Sequence, residues 1–294
     1  MGGGAPAIDS TGNIWVSAGN GSVTSTSHAY DNSDSVLELS PSLTLLQYFA
    51  PTSWASDNSA DKDFSSTPAL LSDGQVVIAG KSRIVYLLNG AHLGGIGGQE
   101  AAISSGCGDD IDGGMAVSGT TVYLPCLTGV EALQTTASPA AEHIAWSSGV
   151  GGGPPIVAAG EVWTIGQNGV LYGLNPTTGK VQQSATVGRP ANHFPTPGIG
   201  AGLLVVATAN TVVAFTASTS ATTAPTPTTT TTTSTTTSST PPVHATSTTP
   251  TTRPHGGGSA GGLPGWGIAA IVFGALVVGG GTAAGVTRRM RRRK

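Results

Sequence analysis

Five segments of this chain repeat one plan. A small apolar lead-in reaches a Gly or Ser turn, a strand of β-branched and aromatic residues follows, and a second turn closes the unit. The segments occupy residues 6–21, 68–90, 115–134, 154–181 and 197–218. Their central strand residues, Trp15, Val77, Tyr123, Trp163 and Val205, stand 62, 46, 40 and 42 residues apart. A period of roughly 40 residues with several strands per unit is the signature of propeller blades. A unit of this kind buries both faces only against its neighbours, so it folds in company.

The fourth unit shows the mechanics. Residues 156–158 form a strand that reaches the Ala159-Gly160 turn, and residues 161–165 return antiparallel. Alternation puts Val162 and Thr164 on one face and Glu161, Trp163 and Ile165 on the other. Gln167-Asn168-Gly169 is a hairpin turn, because Asn-Gly tolerates positive φ at both central positions. A third strand follows at 170–174, the Asn175-Pro176-Thr177-Thr178-Gly179 turn comes next, and a fourth strand begins at Lys180. Composition agrees with an all-β domain, since Gly and Asn punctuate short runs of Val, Ile, Tyr and Trp.

The pattern G-x-V-W-T followed by N-G-x-L-Y-G-L-N-P-T-T-G-K, from Gly160 to Lys180, resembles the repeat of quinoprotein-type (PQQ-like) β-propellers. GKSRIVYLL near residue 85, and GNIWVSAGNG followed by SVLEL at 35–39, are similar. The resemblance implies an all-β fold of about five PQQ-like blades over residues 1–216. Family members usually close seven or eight blades, so the resemblance also implies a ring that lacks N-terminal blades. Met1-Gly2-Gly3-Gly4 has neither a basic n-region nor an apolar h-region, which is again expected of a chain without its natural beginning.

Residues 217–262 change character. This Thr/Ser/Pro/Gly-rich tract has almost nothing to bury and is expected to be an extended, disordered stalk. An uncharged run then extends from Trp266 to Val286, within a segment at 263–287 long enough for one transmembrane helix. Arg288, Arg289, Arg291, Arg292, Arg293 and Lys294 follow it as a basic tail at 288–294 and act as a topology signal. Such a tail stays cytoplasmic, which places the repeats outside the cell in single-pass topology. Leu263-Pro264-Gly265-Trp266-Gly267 resembles the LPxTG sorting signal of Gram-positive surface proteins, but Trp266 replaces the Thr at which cleavage occurs. Retained anchoring in the membrane of a bacterial surface protein is therefore expected.

The formal charge of −3 hides an asymmetry, because all fifteen acids precede residue 170 and six of the twelve cations lie in the tail. An acidic ectodomain excludes nucleic acid as a partner, since phosphate binding needs clustered Lys and Arg. The expected partners are the lipid bilayer and an extracellular protein or small molecule.

Candidate chemistry is sparse. Cys107 and Cys126 form an even pair outside the cell and are expected to be a disulfide. Asp57, Asp61 and Asp63 make one weak calcium cluster and Asp109, Asp110 and Asp112 a second, both expected to be solvated loop tips. The six histidines lack zinc spacing, and neither a phosphate cradle nor a G-x-S-x-G elbow is present. Trp15, Trp54, Trp146 and Trp163 are expected to pack between blades. No catalytic residue, cofactor site or definite metal is assigned. The leading expectation is a binding or scaffold module. The alternative, implied only by the resemblance, is a PQQ- and calcium-dependent dehydrogenase of alcohols or sugars, or a truncated inactive fragment of one.

Overall fold

A computed structural model describes residues 4–216 and 275–277. Those residues form five antiparallel sheets in sequence order, four with four strands and one with five. The first sheet comprises Ala7–Ile8, Ile14–Ala18, Ser35–Leu39 and Leu45–Ala50, and Gly95–Ile96 adds a parallel edge strand. The second comprises Ala69–Leu70, Gln75–Ile78, Ile84–Asn89 and Ala101–Ser104. Ala116–Ser118, Thr121–Cys126, Gly129–Ala137 and Ala140–Ser148 build the third. The fourth uses Ile156–Ala158, Glu161–Ile165, Val170–Leu174 and Val181–Thr186. Apart from that parallel edge strand, each is an up-and-down meander, which is the blade plan the repeats predict.

Register explains why each sheet sits between two neighbours. In the fourth, Val162 pairs with Leu174, and this face packs with Tyr123, Val130 and Ala132 of the third sheet. The opposite face carries Trp163, Ile165 and Leu171 against Leu204, Val206, Val213 and Phe215 of the fifth. The second and third sheets share a cluster centred on Val77, Leu87, Val122 and Leu124. The first and second share Trp15, Val36, Phe49, Ile78 and Leu88. Four apolar layers thus join five sheets, and among the described residues no buried cluster joins the first sheet to the fifth. The blades form an arc with two end faces.

The fifth sheet comprises Gly198–Gly200, Leu203–Ala207 and Val212–Thr216, with Ala275–Val277 as its fourth strand. Ala275–Val277 lies inside the segment read as a membrane span. They pair with Phe215, Ala214 and Val213. The stalk, the rest of the span and the basic tail fall outside the described residues. Among the described residues, no helix is long and apolar enough to cross a membrane.

The expected disulfide is present, with Cys107 and Cys126 Cα atoms 5.2 Å apart. It ties the crossing from the second to the third sheet onto the strand Thr121–Cys126. Replacing Cys126 with Ser is expected to lower stability by about 3 kcal/mol, because the open chain regains the freedom of a 19-residue loop. A chemical denaturation curve with and without reductant reads this directly.

Candidate functional site

The meander sends two kinds of connection to one end of the arc. These are the turns between second and third strands and the crossings from each outer strand to the next inner strand. Both acidic clusters lie on such crossings, so the fold brings together segments about 50 residues apart in sequence.

The first cluster is not a loop tip. Trp54–Ala60 is a short helix, fixed because Trp54 is buried against Tyr30, Val23 and Ala55. Asp57 is buried on it and accepts a hydrogen bond from the Ser53 hydroxyl at 2.5 Å. Asp61 caps its C-terminus in the left-handed region, at φ 55°. Lys81, from the turn between Gln75–Ile78 and Ile84–Asn89, places its ammonium 2.8 Å from both Asp61 and Asp63. Desolvation works against the Lys81 charge, but the bonds to Asp61 and Asp63 overcome it and raise its pKa. The bonds from Lys81 and Asn20 hold the Asp61 carboxyl below its usual range. Asp57 therefore faces inward while Asp61 and Asp63 spend their charge on Lys81. Among the described residues, the three do not bring ligand oxygens within 4.8 Å of one another.

In the second cluster Asp109 is exposed and Asp112 is buried. Asp112 donates its backbone N–H to the Pro125 carbonyl at 3.4 Å, and its carboxylate lies 3.2 Å from His193 Nε2. Burial raises the Asp110 pKa, Asp112 and Asp109 add to the effect, and Lys81 opposes it. The two crossings run side by side, since the Ser65 hydroxyl donates to the Ile111 carbonyl at 2.9 Å and the Gly113 N–H to the Ser65 carbonyl at 2.9 Å. Sequence reasoning missed Lys81, His193 and the buried Asp34; the cation in the tight turn GKSR was the one visible signal.

Glu131 is a further buried carboxylate, beside the disulfide. It accepts the Gly106 N–H at 3.0 Å and the Ser147 hydroxyl at 2.9 Å, which fixes the backbone next to Cys107. Its oxygen and the two Sγ atoms lie within 4.8 Å of one another. The tryptophans pack as expected with one exception. Trp15, Trp146 and Trp163 lie between sheets, whereas Trp54 packs within the first unit.

Inner strands of the first three sheets border an open groove of roughly 400 Å³, lined by residues such as Ile8, Thr67, Leu70, Met115 and Val117. None of its lining residues titrates. An acidic quinone with a calcium ion needs cationic side chains and carboxylates around it. The groove residues do not fit such a group.

No protein-family model matches the chain, and comparison with curated proteins finds no match. Solved β-propellers are similar in fold. BamB from Moraxella catarrhalis superposes with a TM-score of 0.52 at 14% identity, over 73% of this chain and 61% of that one. The β-propeller domain of Cps50 (Swd1) from Myceliophteria thermophila gives a TM-score of 0.51 at 9% identity, over 73% of this chain and 65% of that one. The chain folds as a β-propeller arc. It spans less than two thirds of the length of either structure.

Proposed function

We propose that this chain is a membrane-anchored extracellular propeller that binds a cationic protein partner through the acidic end of its arc. The observation that carries the reading is that Asp61 and Asp63 share the single ammonium of Lys81 on a crossing hydrogen-bonded to the one that bears the second Asp cluster. Asp61 and Asp63 share the one positive charge of Lys81, which leaves net negative charge there, and the exposed Asp109 adds to it. Rigid blades holding such loops suit recognition, since binding groups on loops need a fixed scaffold. Support for anchoring comes from the uncharged run between Trp266 and Val286 and the cations after it. The PQQ-like character of the repeats rests on the resemblance of the fourth unit.

A hexalysine peptide tests the binding face on the full chain in detergent. Its dissociation constant is expected to rise on the order of tenfold between low and physiological salt, because exposed charges are screened. Asp61→Asn with Asp109→Asn is expected to remove most of that salt dependence. Equal affinity for hexaglutamate would refute the electrostatic reading. Dye-linked alcohol oxidation on adding PQQ and Ca²⁺ would overturn the binding-module reading in favour of the dehydrogenase. Protease added to intact cells is expected to cut the repeats, and an uncut amino-terminal portion would refute the extracellular placement.

A further inference from the structure

The first sheet ends the arc with an apolar face. Alternation sends Trp15, Val36 and Phe49 toward the second sheet, so the residues between them point the other way. Cross-strand pairing lines those residues up. Ile8 pairs with Ile14, Ile14 with Leu39 and Leu39 with Leu45, a row of large aliphatic side chains that crosses every antiparallel strand of the sheet. Val16 and Leu37 pair in a second row, which ends at Tyr48, where the Tyr30 ring from the loop at 19–34 stacks at 5.4 Å. Ile8 is 59% exposed and Leu45 43%, while Ile14, Val16, Leu37 and Leu39 are partly buried. Among the described residues, none of these aliphatic side chains joins a buried cluster.

The matching face of the fourth sheet is covered. There Val162 and Leu174 hold the paired positions that Ile14 and Leu39 hold in the first, and Tyr123, Val130 and Ala132 of the third sheet seal them. The first sheet thus carries a surface of the kind this chain uses for sheet-on-sheet packing, and open apolar patches mark sites of association.

We propose that this face binds the same face of a second copy of the chain across a two-fold axis, the two sheets packing as halves of a sandwich. No residue of the face is charged, so two chains that are acidic elsewhere can meet here without repulsion. The other seat on a second copy is the open face of its fifth sheet. That face offers Gly198, Val205 and Ala214 as its central row, far less apolar surface than the row from Ile8 to Leu45. Pairing two first-sheet faces therefore buries the most. A first-to-fifth contact is also head-to-tail and leaves one face of each kind open on the pair, whereas the two-fold consumes both first-sheet faces at once. Strand spacing and rise give the face roughly 300 Å² of flat platform, and with side-chain relief two copies bury on the order of 1,000 Å² of accessible surface. That is the lower bound of a specific interface and suits a dissociation constant on the order of 10 µM. The pairing needs neither the cationic partner proposed above nor the membrane anchor.

The test is sedimentation equilibrium of the full chain in density-matched detergent, from about 1 to about 100 µM. The mass is expected to move from one chain to two and no further. Ile8→Glu with Leu45→Glu, both at exposed side chains, sets like charges against one another and is expected to weaken pairing at least about tenfold. Val212→Glu, on the open face of the fifth sheet, leaves pairing unchanged. Leu39→Cys chains treated with a short bis-maleimide are expected to link to each other, and not to Val212→Cys chains mixed with them. That link decides the matter even where the charged variant fails to fold. A single-chain mass throughout, a dimer that the folded charged variant keeps, or Leu39→Cys chains that stay unlinked each overturns the proposal. Masses growing beyond two chains, or a link to Val212→Cys, overturn it in favour of head-to-tail stacking.

Discussion

Replacing Trp163 with alanine is expected to destabilise the folded chain by about 3–5 kcal/mol. Trp163 is fully buried between the fourth and fifth sheets, and its indole N–H donates to the Ala158 carbonyl at 3.1 Å. Its ring also fills the space over Gly173, where a Cβ would come within 2.9 Å of it. Truncation removes the apolar transfer energy, leaves a cavity between two stiff sheets, and orphans the Ala158 carbonyl. Val212→Ala in the fifth sheet, at a side chain 53% exposed, is the control and is expected to change stability by less than about 0.5 kcal/mol. Urea unfolding of both variants at one pH measures the difference. Equal midpoints would contradict a packed layer between these sheets.

The second large effect belongs to Glu142. This residue lies on the outer strand of the third sheet, between Ala140 and Ile144, which pack against the cluster shared with the second sheet. It is 9% exposed and neither carboxylate oxygen has a partner, so desolvation raises its pKa to about 8 from 4.5. Between those two values the folded chain holds a proton that the unfolded chain has released. Stability therefore falls as pH rises through that window and levels off above it. By linkage the loss is of the order of 3 kcal/mol.

Glu142→Gln removes the ionisation, so the variant should match the wild type near pH 5 and exceed it near pH 9. Asp34 is shifted in the same direction, to about 7, so a shallower slope should remain in the variant and vanish in the double substitution with Asp34→Asn. Denaturation midpoints taken across this pH range decide it. A slope unchanged by Glu142→Gln would show that the carboxyl is solvated.

How much was legible depended on how local the cause was. The fourth unit could be read almost residue by residue. Its strands follow from alternation and its turns from Asn168-Gly169 and Ala159-Gly160, all effects of neighbouring residues. The hairpin Ala116–Ser118 with Thr121–Cys126 and the adjacent disulfide were legible for the same reason. The first unit was not. Its spacing of 62 residues conceals the loop at 19–34 and the helix Trp54–Ala60, which are held by contacts of Asn58 and Trp54 with distant segments. Local sequence there shows only polar residues and acids, the usual marks of a solvated loop.

What the sequence determined by itself is the repeated blade plan, the strands of the fourth unit with their two-faced burial, and the division of charge between repeats and tail. These depend on backbone geometry and composition, which act within a few residues. Only the tertiary structure decided that Asp61 and Asp63 share Lys81 and that Asp34 and Glu142 are buried. Electrostatic energy depends on distance and burial in space, and the fold sets both by joining segments tens of residues apart.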